Sequence, residues 1–412
     1  MTTSAPSAPS DVARILIWSP NYAPELTGIP PLVTDAAEWL AAHGHRVEVV
    51  TAVPNYPERR IYGEYRGVLW RSERRGEVLV HRSWLRVRRG ETFSDKALYE
   101  LSFATASLPQ VLRRTGGSDV LVCVVPSVIA AVYGSLLTRV RRLRRRPLRF
   151  VLWMQDLVFS AAASVDGVGP GARKLLDAAR LAEKDAARAA DRVVVCSPGF
   201  REYLLDRGLD ERRISTVYNW VDVDEVRDEP DPDTRPIRFL YSGNLGYTQG
   251  FGTLLEAARL AGPQVQVEIV GEGNAAADVR REAAAVDNVS VRKPVPRSEF
   301  PTLLASAHVD VVLQRGISAG ANFPSKIASY LASGRPILAS IAPDTPAARV
   351  LADSGAALLV RPEDPPRLAA AMKELQADDR LRKRLGKSGR EYAMRTLDRR
   401  SLLPRLEAAI LG

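Results

Sequence analysis

Residues 222–242 read DVDEVRDEPDPDTRPIRFLYS. Up to Pro236 the stretch is acidic, proline-rich and nearly free of apolar side chains. It has no face to bury and reads as a linker over 222–236. At Ile237 the pattern changes to a short apolar run, then a glycine-rich turn, YSGNLGYTQG, then a helical pattern, FGTLLEAARL. A chain that stops and restarts with strand, turn and helix is built from two α/β domains. Downstream, strands are expected at 237–242, 265–270, 289–291, 309–313, 336–340 and 357–360, with helices between them. Upstream the same alternation begins at RILIW (14–18) and recurs at 47–51, 78–88, 120–125, 150–154 and 193–196. Helices are expected before Gly44 (Leu32, Ala36, Trp39 and Leu40 on one face), over about 95–114 with a possible kink at Pro109, and over 171–190. Residues 54–75 show no regular pattern. Two parallel sheets that face each other bind ligands outside their C-terminal strand ends, so the cleft between them is the expected site.

The expected organisation is a disordered tail at 1–13, an N-terminal domain at 14–221, the linker at 222–236, a C-terminal domain at 237–390 and a closing helical segment at 391–412. The length of 412 residues agrees, at roughly 150 residues per domain. With 46% hydrophobic and 26% charged residues, the composition is that of a globular protein and excludes a disordered, collagen-like or coiled-coil chain. The two cysteines, Cys123 and Cys196, each lie in an apolar run, which excludes a disulfide framework and a cysteine zinc site. Among four histidines only His43-x-His45 has a close spacing, and it reads as part of a turn. No metal site is expected. Residues 120–138 carry no charge and are long enough to span a bilayer. Pro126-Ser127 divides them, so a buried strand followed by a helix is the better reading. The N-terminal stretch MTTSAPSAPSDVA has no basic leader, and a cytoplasmic protein is expected.

The net charge is +10, and arginine carries it, with 50 arginines to eight lysines. Such an excess suits a phosphate-bearing or otherwise polyanionic partner. Arg141, Arg142, Arg144 and Arg145 lie in one cluster, and Arg86 and Arg88 lie in another that interleaves with Trp84, Leu85 and Val87. Arginines mixed with large apolar residues suit an anionic membrane surface. No nucleic-acid-binding motif is present, and no nucleic-acid partner is expected.

Three stretches of the second domain suit a phosphate group. Gly243, Asn244 and Gln249 lie in the first glycine-rich turn, between a strand and a helix N-terminus. Gly271 and Glu272 open a second turn, GEGNAA, which has the G-x-G-x-x-A spacing of a dinucleotide site but sits on the domain's second strand. Arg315, Ser318, Asn322, Ser325 and Lys326 follow the strand VDVVL, and Pro324-Ser325 starts a helix. A lysine in a helix's first turn opposes the helix dipole, so a nearby anion is a physical reason for its position. Gly386-Lys387-Ser388 lacks the upstream glycine of a nucleotide-binding loop and reads as an exposed helix break. In the first domain the strand FVLWM ends at Gln155-Asp156, where a carboxylate faces the cleft and can orient a sugar hydroxyl or act as a base.

Taken in order, SPNYAPELTG, AHGHRVEVVTAVPNYP, LWMQD, CSPGF, VYNWVD, YSGNLGYTQG, VEIVGEG and PSKIASYLASGRPILAS resemble the retaining, nucleotide-sugar-dependent glycosyltransferases of the group 1, family 4 type. The likeness is to their bacterial exopolysaccharide, colanic-acid-type branch, and it runs from about 14 to 400. The resemblance implies the GT-B fold: two Rossmann-like domains facing across a cleft, with a C-terminal helix returning to the first. It implies an acceptor on the first domain, with Asn21, Tyr22 and Gly28 at the cleft, and a nucleotide-diphosphate sugar on the second. UDP- or GDP-sugars are favoured, with no further cofactor and no metal. It also implies transfer with retention of anomeric configuration, a donor phosphate oxygen helping to deprotonate the acceptor. Many relatives carry an Arg and a Lys on the diphosphate where this chain has Asn244 and Gln249, and two glutamates where it has Ala321 and Ser329. Phosphate binding is therefore expected of Lys326 and Arg315.

The expected function is transfer of a sugar to a lipid-linked or saccharide acceptor at the cytoplasmic membrane face, in cell-surface polysaccharide or glycolipid synthesis. Asp156 would lie nearest the reacting sugar. A nucleotide-sugar epimerase and a non-catalytic membrane- or partner-binding protein on the same fold are the alternatives.

Overall fold

The computed structural model describes residues 12–26, 28–56, 59–88, 93–157, 170–226, 229, 232, 234–316 and 326–412. Two sheets organise them. The first contains β1 (Arg14–Trp18), β2 (Arg46–Ala52), β3 (Trp70–Arg75), β4 (Val78–Ser83), β5 (Val120–Val125), β6 (Arg149–Met154), β7 (Arg192–Val195) and β8 (Ile214–Thr216). Their spatial order is β3-β4-β2-β1-β5-β6-β7-β8, parallel except for the β3–β4 pair. The second contains β9 (Ile237–Asn244), β10 (Val265–Glu272), β11 (Val289–Arg292), β12 (Val309–Leu313), β13 (Ile337–Ser340) and β14 (Ala357–Val360). Its order, β11-β10-β9-β12-β13-β14, is the 3-2-1-4-5-6 order of a nucleotide-binding doubly wound sheet.

The central strands are continuous apolar runs because both faces are covered. VLVCVV of β5 is buried at every position. Its odd and even side chains enter two different cores, one with Phe103 and Leu152, the other with Val33 and Trp153. This strand and the Val128–Leu143 helix divide residues 120–138 between them. Ser127 caps that helix by accepting from Ala130 N. Among the described residues no helix is long and apolar enough to cross a membrane.

Two segments differ from the sequence expectation. β3 lies within the stretch that shows no pattern, because WRSERR is an edge strand exposed along most of its length. It is held by cross-strand pairs, Ser72 opposite His81 and Glu73 beside Arg82, rather than by an apolar face. Gly386-Lys387-Ser388 is not an exposed break. It lies inside the Asp379–Tyr392 helix, where Gly386 is buried against the backbone of Gly334, with no room for a Cβ.

The chain's last helix, Arg399–Leu411, packs on the first domain. Leu402, Leu403, Leu406 and Ile410 share a core with Ile15, Val33 and Val122. Glu407 joins it to His45 and Trp39, so His45 docks this helix and is more than a turn residue. The acidic crossover meets the basic C-terminal segment. Asp222 pairs with Arg399 at 2.9 Å, Asp224 pairs with Arg400 at 3.1 Å, and Arg390 donates to Val223 O at 2.8 Å. Val223 and Val226 are buried against the second domain. The start of the expected linker is therefore packed chain.

Candidate active site

The C-terminal ends of β9 and β12 lie side by side and bring two predicted phosphate-binding stretches together. Arg315 N donates to Thr248 O at 2.8 Å, which ties the end of β12 to the YSGNLGYTQG turn. Lys326 begins its helix directly behind that turn. Its ammonium lies 3.5 Å from the centroid of the Tyr241 ring, a cation–π contact. A Cβ on Gly243 would stand 3.1 Å from Lys326 Nζ, and Gly243 has φ 134°, so glycine is needed there on two counts.

Below Lys326 lies a carboxyl group that the sequence reading did not single out. Asp310 sits fully buried near the start of β12 and accepts a 3.0 Å hydrogen bond from Ser333 Oγ. Burial pushes its carboxyl up to about 8, and the charges of Arg335 and Lys326 oppose the shift. Lys326 is partly exposed as a residue, but Tyr241 and Gly243 enclose its ammonium. Desolvation pushes it down to about 7, and Asp310 opposes that shift. Tyr330 completes the group. Its hydroxyl accepts from Ser242 N at 2.7 Å and donates to Ser242 O at 3.1 Å, fixing the backbone just before Gly243. An anion placed at the Gly243 turn would therefore meet a lysine whose protonation it favours. The sequence signal for Asp310 was a lone carboxylate inside an apolar strand, which needs a partner to be buried.

The remaining donor-side residues are placed less directly. Gln249 Oε1 accepts from Gly246 N at 3.0 Å and so shapes the turn from within. Asn244 is exposed at the end of β9. Arg315 pairs with Glu363 at 3.2 Å, and Glu272 pairs with Arg280 at 2.5 Å. In the GEGNAA turn, a Cβ on Gly271 would overlap Gly243 O, and one on Gly273 would overlap Leu245 O. These glycines allow two neighbouring turns to stack, which accounts for the dinucleotide-like spacing without a dinucleotide. Ser318, Asn322 and Ser325 lie outside the described residues.

Across the cleft, at the C-terminal ends of β1 and β2, Glu25 is buried and accepts three bonds: from Asn21 Nδ2 (2.9 Å), Asn55 N (2.8 Å) and Tyr56 N (2.9 Å). Burial still raises its carboxyl above the ordinary range. Tyr99 donates to Asn55 Oδ1 at 3.3 Å. Gly28 has φ 80°, and a Cβ there would lie 3.8 Å from the Tyr56 ring. Tyr22 corrects the expectation: it is 1% exposed, packed in the core with Leu32 and Val33, and does not line the cleft. Asp156 lies just beyond the C-terminal end of β6, partly exposed, with one carboxylate oxygen accepting from Leu157 N at 2.8 Å.

The basic patches separate. Arg86 and Arg88 follow β4 at the cleft edge, where Arg88 lies 3.8 Å from Asp95. Arg141, Arg142, Arg144 and Arg145 lie at the far end of the Val128–Leu143 helix, which runs back from the cleft to the opposite edge of the sheet. Arg142 is engaged with Asp191 at 2.5 Å. Among the described residues no group of histidine, cysteine or carboxylate side chains is arranged to hold a metal.

Residues 27–220 match the Glycosyl transferase 4-like domain family, and residues 222–392 match the Glycosyl transferases group 1 family. The chain belongs to the group 1 glycosyltransferases. A relative in that family, the putative colanic acid biosynthesis glycosyl transferase WcaI of Escherichia coli (strain K12), is 30% identical over 409 residues, 95% of this chain and 98% of that one. A probable glycosyltransferase of Pseudomonas aeruginosa, WbjE, is 26% identical over 200 residues, 45% of this chain and 50% of that one. Among solved structures, the sucrose-phosphate synthase of Thermosynechococcus elongatus superposes with a TM-score of 0.72 at 19% identity, over 96% of this chain and 98% of that one. HepE of Anabaena, solved with UDP, gives 0.70 at 14% identity, over 96% and 98%. These last two likenesses speak for the GT-B fold of the group 1 enzymes.

Proposed function

We propose that this glycosyltransferase moves a sugar from a nucleoside-diphosphate sugar, UDP- or GDP-linked, to a lipid-linked or saccharide acceptor at the cytoplasmic face of the membrane, in cell-surface polysaccharide synthesis. The observation that carries the reading is the Lys326 ammonium against Tyr241 and Gly243, at the strand ends where a doubly wound sheet binds a diphosphate. The resemblance to a colanic acid biosynthesis enzyme along nearly the whole chain supports the polysaccharide context.

In this reading the bond from the anomeric carbon to the diphosphate oxygen breaks while the acceptor oxygen bonds to that carbon on the same face. The acceptor's proton goes to the departing diphosphate. Lys326 stabilises the negative charge that develops there, without a metal ion. Asp156 orients the sugar from the opposite domain. The test is calorimetric titration of the purified protein with UDP, GDP and their sugar conjugates, without added metal. Micromolar binding of one nucleotide series, lost in Lys326→Ala, supports the proposal. Absence of binding by every series overturns it.

A further inference from the structure

A second basic site lies on the first domain, formed by two loops far apart in sequence. The chain after β2 and the chain after β4 border a shallow, open concavity of about 500 Å³ lined by Arg59, Arg60, Ile61, Arg66 and Val87. The loop is fixed from below. Arg60 N donates to Asn55 O and Tyr62 N to Pro54 O, each at 3.0 Å, and Tyr62 Oη donates to Tyr56 O at 2.9 Å. Arg59, one of the lining residues, is held at φ 49°, a left-handed conformation that costs an arginine energy. Its charge reaches the cleft: burial raises the Tyr99 phenol to about 12, and Arg59 pulls against that shift. Among the described residues Arg60 and Arg66 have no carboxylate partner. Two guanidiniums without a paired carboxylate among the described residues therefore line the concavity together with two aliphatic side chains, in the loop that continues from the Asn21–Glu25–Asn55 cluster on the acceptor side.

Guanidiniums bind phosphate through paired, charge-assisted hydrogen bonds, and the aliphatic pair suits an apolar substituent beside the anion. We infer that this concavity holds the phosphate or diphosphate group of the acceptor, so that the acceptor is a phosphate-bearing, lipid-linked molecule rather than a free sugar. The inference rests on the proposed transferase reading and narrows its acceptor. Arg60 and Arg66 act as acceptor-binding residues, away from the Lys326 site.

The test uses the full chain and its Arg60→Ala/Arg66→Ala double variant. Both positions are exposed, and thermal melts confirm that the variant folds. UDP binding is measured first in each protein, and its absence would count against the donor reading alone. With UDP at saturation, geranyl diphosphate is then titrated, so that the probe cannot occupy the donor site. Should UDP fail to bind, geranyl diphosphate is titrated alone and the same comparison decides. The expected result is one binding site in the wild type, weakened at least tenfold in the double variant, with UDP affinity unchanged. Equal geranyl diphosphate binding in the two proteins overturns the inference, as does no binding by either. Sedimentation with phosphatidylglycerol vesicles separates the sources. If vesicle binding falls in the variant while geranyl diphosphate binding does not, the arginines serve lipid headgroups and the acceptor assignment is wrong.

Discussion

Lys326 Nζ lies 3.5 Å from the centre of the Tyr241 ring, and this contact links the two strand ends that form the donor half of the cleft. The contact favours the charged ammonium, and so does Asp310, but desolvation outweighs them and lowers the amine to about 7. A bound diphosphate would restore the proton. At pH 8, then, UDP binding should be accompanied by net proton uptake, and affinity should weaken as pH rises above 7. Titration calorimetry in two buffers of different ionisation enthalpy reads the uptake directly. Lys326→Met should abolish it; uptake that persists in Lys326→Met would assign the proton to another group.

Tyr330 is tied to Ser242 through both backbone groups of that residue. Tyr330→Phe keeps the ring and its packing but leaves a buried N–H and a buried C=O without this partner. The expected loss is about 1–3 kcal/mol of stability, seen as a lower urea midpoint at unchanged m. Because Gly243 follows directly, UDP affinity should also fall several-fold. A variant with wild-type stability and affinity would show that the Gly243 turn holds its shape without Tyr330.

The fold was legible wherever strands are buried on both faces, because such strands are continuous apolar runs. β5 and β6 are of this kind, and β9, β10 and β12 stay readable because apolar residues surround Arg238, Gln266, Glu268 and Asp310. β3 was not legible, since its pairing rests on polar partners on β4 that only the sheet brings together. In the site, Lys326 stood out because its place in a first helical turn lacks a local reason. Asp310 did not stand out, because Ser333, the side chain that makes its burial tolerable, comes from another element 23 residues on. Tyr22 misled for the opposite reason: a polar, proline-rich loop concealed a side chain that turns inward to the core. The arginine concavity needs the chain after β2 beside the chain after β4, a neighbourhood that spacing alone does not encode.

Glu100 makes stability depend on pH. Its carboxyl accepts from Val128 N at the start of a helix, but burial pushes it up to about 7. The folded state then binds more protons than the unfolded state between the ordinary glutamate value, about 4.3, and 7. Its contribution is fully present below that range and is lost as pH rises through 7. Glu100→Gln removes the charge but keeps the shape. The variant should match the wild type near pH 4 and melt higher than it at pH 8, by the equivalent of about 3–4 kcal/mol. Parallel melting curves at both pH values would refute the assignment.

Glu407 fastens the last helix to the first domain. Its two oxygens meet His45 Nε2 at 2.9 Å and Trp39 Nε1 at 3.1 Å. His45 Nδ1 accepts from Ala13 N at 3.2 Å, so Nε2 carries the proton and both contacts on Glu407 are donated to it. A glutamine has a single acceptor oxygen, and its amide would face an N–H. Glu407→Gln should therefore cost about 1–3 kcal/mol despite its near-identical shape. Leu406→Ala, in the core shared with Ile15 and Val33, should cost about 2–5 kcal/mol. Denaturant titration measures both. If the helix were undocked in solution, neither substitution would move the midpoint. If it is docked through packing alone, only Leu406→Ala would. Loss in both variants, accompanied by faster amide exchange in the Ile29–Ala42 helix, is the outcome expected of a helix held by a partly buried carboxylate as well as by its leucines.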